Sequence, residues 1–164
     1  MRLSPPAFDD AHALKCEMAG EVLRSSGTLR LQVMGWSMLP SVWPGDTLVI
    51  ERADSNAVSE GDIVLFGRNR RLFAHRVVAK AGQSGDSRVV TRGDAMPAPD
   101  SPVSADELLG KVSIILRNGK RIEPSRSLRL SERAVATLVR RSEIAAGVVV
   151  GVHGMRQASP SFTP

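Results

Sequence analysis

Four polar residues in this chain have the types and the order that acyl transfer needs. Ser37 sits in MGWSMLPSVWPGD (34–46), after a Gly-Trp pair at the end of a strand-like run and before Pro40. A hydroxyl on a tight turn of this kind is exposed, and the backbone N–H beside it is open to stabilise an oxyanion. His75 interrupts the apolar run LFAHRVVA (72–79). Strand alternation would place it with Phe73 and Val77 and put Arg76 on the opposite side. Imidazole changes charge near neutral pH, which suits it to take a hydroxyl proton. Asp94 and Asp100 lie in VVTRGDAMPAPDSPV (89–103), a strand running into a Gly-Asp turn. Either carboxylate could orient the imidazole and stabilise the imidazolium that forms. Residue chemistry alone does not choose between the two.

The elements that must position these residues read as mainly β. LRLQVM (29–34) alternates with Leu29, Leu31 and Val33 on one side, and TLVIER (47–52), DIVLFG (62–67), RLFAHRVVA (71–79), SRVVTRG (87–93) and GKVSIIL (110–116) follow. These runs are rich in Val, Ile and Leu. Turn signals separate them: PGD (44–46), EGD (60–62), GQSGD (82–86) and NG (118–119). Short strands joined by such turns predict a compact antiparallel β sandwich or partly closed barrel. A helix is expected at each end. Ala11, Leu14, Met18, Val22 and Leu23 have helical spacing within 9–26, and Gly27 stops the run. Leu130, Ala134, Leu138 and Val139 repeat the spacing in the Arg-rich segment after Ser125. The organisation is thus an N-terminal amphipathic helix (1–28), a β domain (29–124), a basic helical segment (125–154) and a disordered tail (155–164).

Composition narrows the function classes. Hydrophobic content of 42% and charged content of 24% fit a globular domain rather than a disordered chain. Aromatics make up only 4%, too few for a base-stacking surface, so no nucleic-acid partner is expected. The net charge of +5 leaves acidic substrates or an anionic membrane surface open. Cys16 is the only cysteine, which excludes an intrachain disulfide and a thiolate metal cluster; no metal or cofactor is expected. No run approaches the ~20 apolar residues of a membrane-crossing helix; the most apolar C-terminal stretch is IAAGVVVGV (144–152). The N-terminal twenty residues contain prolines and acids where an export signal would be apolar. The expectation is a soluble protein, cytoplasmic or peripheral to a membrane.

The collinear set SM-x-P, GD, GDIV-x-F, HRVV, TRGDAMPAPD and LLGKV, spanning about Val33 to Leu116, resembles the S26 signal peptidases within the S24/S26 serine peptidases. It is most similar to the endoplasmic-reticulum and spore-former branch, which has His where most bacterial enzymes have Lys. The resemblance implies a serine endopeptidase with the signal peptidase β fold, cutting an extended peptide or precursor protein after a small residue. It implies Ser37 as nucleophile, His75 as general base, and Asp94 and Asp100 as the two acids, with Asp100 where the third catalytic acid is expected. Trp36 and Met38 flank the nucleophile; Met38 would contact substrate, and Trp36 would either wall the substrate cleft or pack on the core. Asp46 and Asp62 would be structural, and neither Lys80 nor Lys111 takes the bacterial base position. Gly35 replaces a Ser that helps bind the oxyanion in many bacterial members, which leaves backbone N–H groups for that task.

Two other readings remain. Self-cleaving repressors share this fold but use a Ser–Lys pair behind a helix-turn-helix, for which residues 1–28 are too few. A non-catalytic module could instead dock acidic partners or anionic lipid through Arg126, Arg129, Arg133, Arg140 and Arg141.

Overall fold

A computed structural model describes residues 7–82, 88–128 and 134–137. Helix α1 (Ala7–Ser26) comes first, followed by β1 (Thr28–Gln32), β2 (Thr47–Arg52), β3 (Ile63–Arg68), β4 (Arg71–Ala81), β5 (Arg88–Arg92), β6 (Leu108–Arg117) and β7 (Lys120–Ile122). The strands form one antiparallel sheet in the order β1-β2-β6-β3-β4-β5, with β7 paired to β6. The sheet does not close, and the mainly β, antiparallel fold expected from the sequence is the one found, built as one sheet.

Helix α1 runs until Gly27, whose φ of 74° is the left-handed conformation that ends helices. Its N–H donates to the Leu23 carbonyl at 3.1 Å. Ala19 and Leu23 are the side chains α1 buries, and Leu23 joins Leu48, Ile50, Leu65 and Ile115 in the larger core cluster. The expected apolar face is divided. Leu14, Met18 and Val22 lie on a stripe about 100° round the helix and are exposed.

Turn chemistry sets the hairpins. Asn69 and Arg70 both have positive φ between β3 and β4, and Asn118 and Gly119 do so between β6 and β7, as two-residue hairpin loops require. The second pair was legible as NG, whereas Asn-Arg carries no such signature. The polar triplet Lys120-Arg121-Ile122 also gave no sign of a strand. The C-terminal helix is described only over 134–137, where the chain is helical. The rest of that predicted segment, the apolar run 144–152 and the tail lie outside the described residues. Among the described residues no helix is long and apolar enough to cross a membrane.

Strand β4 changes partners along its length. Residues 71–76 pair with β3, and residues 76–81 pair with β5. Among the described residues, one backbone edge of 71–75 is therefore unpaired, as is the outer edge of β1. Both strands line a cavity of about 560 Å³ whose wall is completed by α1.

The segment between β5 and β6 is clamped rather than loose. Arg68 makes two hydrogen bonds to the Glu107 carboxylate, at 2.7 and 2.6 Å, and two more to the carbonyls of Ser101 and Pro102. The hydrogen bonds from Arg68 pull the Glu107 carboxyl down to about 2 from its ordinary 4.5. A carboxyl depressed in the folded state stabilises it above the unfolded value and stops doing so as pH falls toward the folded one. Thermal melts taken from neutral pH downward should therefore show a decline between about 4.5 and 2 that Glu107→Gln flattens. In the core, Leu23→Ala should cost about 2–5 kcal/mol in denaturant unfolding, and Met18→Ala should stay within about 0.5 kcal/mol.

Candidate active site

Strand alternation sends His75 and its neighbour Arg76 to opposite sides of β4, and each finds a distinct set of partners. The His75 ring is buried, 5% exposed, with the Phe66 and Phe73 rings each 6.0 Å away. Its Nε2 lies 3.0 Å from Ser37 Oγ, and its Nδ1 lies 2.7 Å from Asp100 Oδ2. An ionised carboxylate can only accept, so the ring proton belongs on Nδ1 in the neutral imidazole. Nε2 is then left to accept from the Ser37 hydroxyl. Ser37, His75 and Asp100 thus form one continuous chain of hydrogen bonds.

Asp100 is held by β5. Its N–H donates to the Thr91 carbonyl at 2.7 Å, and the fully buried Thr91 hydroxyl donates to the same Oδ2 that faces His75. Asp94 takes a different place. Arg76 grips it with two parallel bonds of 2.8 Å, Nε to Oδ1 and Nη2 to Oδ2, and the Ser41 hydroxyl donates to Oδ2. Asp94 is 4% exposed and faces away from the imidazole. Of the two acids expected beside His75, the structure brings up Asp100 and commits Asp94 to the guanidinium. Such a paired fork satisfies both buried charges, and removing one partner would leave the other uncompensated.

The Arg76 guanidinium also donates to the carbonyls of Gly61 and Ser125 and to Ser41 Oγ. Ser41 belongs to the turn that carries Ser37. A second tie comes from the Ala95 N–H, which donates to the Ser37 carbonyl at 2.9 Å. The far end of the turn is pinned by Asp46, which accepts the Trp43 N–H and two bonds from Arg117. Asp62 caps the Ser59 N–H and lies near Lys111 and Arg126. Both acids are structural, as expected. Lys80 donates to the Val58 carbonyl and Lys111 faces Asp62, so neither approaches Ser37.

Met38 is buried and lines the cavity beside Ser37. Trp36 does not line it; its side chain is 38% exposed. A Cβ at Gly35 would meet nothing within 4 Å, so the space a bacterial Ser would fill is open. The Ser37 N–H has no acceptor among the described residues. Sequence reasoning missed Thr91 and Ser41, whose roles depend on tertiary partners far along the chain. Gly93 was also missed, although the GD turn pointed near it.

Gly93 sets a steric condition at the site itself. A Cβ there would stand 2.6 Å from the Ser37 carbonyl oxygen, 2.6 Å from Met96 Cγ and 3.2 Å from His75 Nε2. Backbone cannot retreat from such contacts as a flexible side chain would. Gly93→Ala should destabilise the fold by about 1–3 kcal/mol in denaturant unfolding and separate Ser37 from His75.

No curated protein matches the chain. The family model described as Peptidase S24-like matches residues 5–112, well over half the chain. That span takes in the Ser37 turn, the strand bearing His75 and the segment that brings Asp100 to it, and the chain accordingly belongs to the Peptidase S24-like family.

Proposed function

We propose that the protein is a serine endopeptidase of the signal peptidase type, working through Ser37 and His75 with Asp100 behind them. The observation that carries this reading is the unbroken run from Ser37 Oγ through the imidazole to Asp100 Oδ2. His75 Nε2 takes the hydroxyl proton as Ser37 Oγ attacks the scissile carbonyl, and the C–N bond then breaks as the imidazolium returns that proton to the leaving amine. Water, deprotonated by the same nitrogen, attacks the acyl carbon and restores the Ser37 hydroxyl. Asp100 stabilises the imidazolium in both halves, and the Ser37 N–H faces the developing oxyanion.

The substrate is an extended peptide or the extended part of a precursor protein. The unpaired edges of β1 and of residues 71–75 offer backbone groups on both sides of the cleft, which suits a strand added between them. Met38 and Ala74 line the cleft close to the dyad and favour a small apolar residue before the cut. A histidine in the base position fits the endoplasmic-reticulum and spore-former branch. Peripheral membrane contact through the basic C-terminal segment remains part of the proposal; Arg126 is its one described member among the five arginines named above.

Self-cleavage is the second reading, favoured by one observation: α1 of the same chain already lies against the cleft, with His12 and Lys15 in its wall. Incubating the purified protein alone would yield two fragments if that reading holds, and an intact chain if it does not.

The peptidase reading predicts that Ser37→Ala abolishes labelling by an acylating probe and all peptide cleavage; undiminished labelling would defeat it. Asp100→Asn should lower turnover by about 10²–10⁴-fold with little loss of stability. Asp94→Asn should instead destabilise the fold by about 3–5 kcal/mol, because Arg76 is left buried and unpaired.

A further inference from the structure

The cleft beside Ser37 and His75 is lined mostly by apolar side chains and carries cationic ones in its wall. Lys15 on α1 and Arg71 at the start of β4 line it from two different elements, and His12 stands in the same wall. No Asp or Glu lines it among the described residues. Lys15 and Arg71 are both exposed, and neither makes an ion pair or side-chain hydrogen bond with another described residue. Elsewhere on the sheet the bracing arginines have carboxylates in hand: Arg68 holds Glu107, Arg76 holds Asp94 and Arg117 holds Asp46. The cleft therefore presents two uncompensated positive charges to whatever enters it.

Their position along the cleft is fixed by β4. Arg71 precedes His75 by four residues, which at about 3.3 Å per residue in a strand is roughly 13 Å. A peptide lying in the cleft as an added strand advances at the same rate. We infer that the cleft selects peptides bearing Asp or Glu about four residues from the scissile bond, with Arg71 and Lys15 binding that carboxylate. The inference rests on the peptidase reading of Ser37 and His75 and names the substrate class for that site. Arg71 can take the carboxylate as a two-pronged donor, and Lys15 adds a second cation from α1. Partial solvent exposure limits each contact to a few-fold in affinity. Exchanging attraction for repulsion across both cations gives about tenfold.

The test uses the full chain and internally quenched decapeptides amidated at the C-terminus, so that side chains supply the only carboxylates. Each carries Ala at the scissile position and Glu, Gln or Lys at each of the other positions in turn. Cleavage should favour Glu over Lys by about tenfold in kcat/KM at one position, about four residues from the cut. Raised salt should shrink the ratio. The double variant Lys15→Glu, Arg71→Glu should invert the preference, an outcome that misfolding cannot mimic. Cleavage without preference between Glu and Lys would overturn the inference and leave the peptidase reading standing, as would a preference unchanged in the double variant. No cleavage of any peptide, with Ser37 unlabelled by an acylating probe, would overturn both.

Discussion

The alternation of β4 is the constraint on which the site depends. His75 and Arg76 are consecutive, and the strand sends one to the Ser37 hydroxyl and the other to Asp94. A slip of one residue would exchange them, placing a guanidinium beside Ser37 and an imidazole beside a buried carboxylate. The register is held on both sides, by β3 along residues 71–76 and by β5 along 76–81. Arg76 also reaches out of its strand to four groups: Asp94, Ser41, and the Gly61 and Ser125 carbonyls. One guanidinium thereby joins the Ser37 turn to the loop that follows β5. The turn that carries Ser37 is braced by a cation that is not among the residues lining the cleft.

The Ser37–His75 partnership was legible because five or six short segments recur in a set order, each unremarkable alone. Choosing between Asp94 and Asp100 was not possible from that order. Both acids sit in one short segment rich in Gly and Pro, and their separation is decided by how the chain leaves β5. The Asp100 N–H bonds back to Thr91, which folds the segment so that its second acid meets the imidazole. Gly93 allows the same segment to pass against Ser37 with no side chain between them. Thr91 and Ser41 carried no local signal, since their partners lie nine and fifty-three positions away.

The fold was readable where burial imposes a pattern. Thr47–Arg52 forms over the expected residues, and β3, β4, β5 and β6 lie within two residues of expectation at each end. β7 escaped because a three-residue polar strand has no periodicity to detect. The face of α1 was misjudged for a related reason. Its apolar residues occupy two stripes, and only the sheet decides that Ala19 and Leu23 are buried while Leu14, Met18 and Val22 stay in water. Helix α1 also turns out to wall the cleft, which no property of its own sequence announces.

The proposed chemistry requires that His75 keep its proton on Nδ1 against Asp100 and present a bare Nε2 to Ser37. Nitrogen-15 NMR of the labelled imidazole near neutral pH reads that proton's place. A strongly downfield Nδ1–H resonance is expected, abolished by Asp100→Asn and preserved by Asp94→Asn in the folded fraction. A proton found on Nε2, with Nδ1 bare and indifferent to Asp100, would rule this arrangement out.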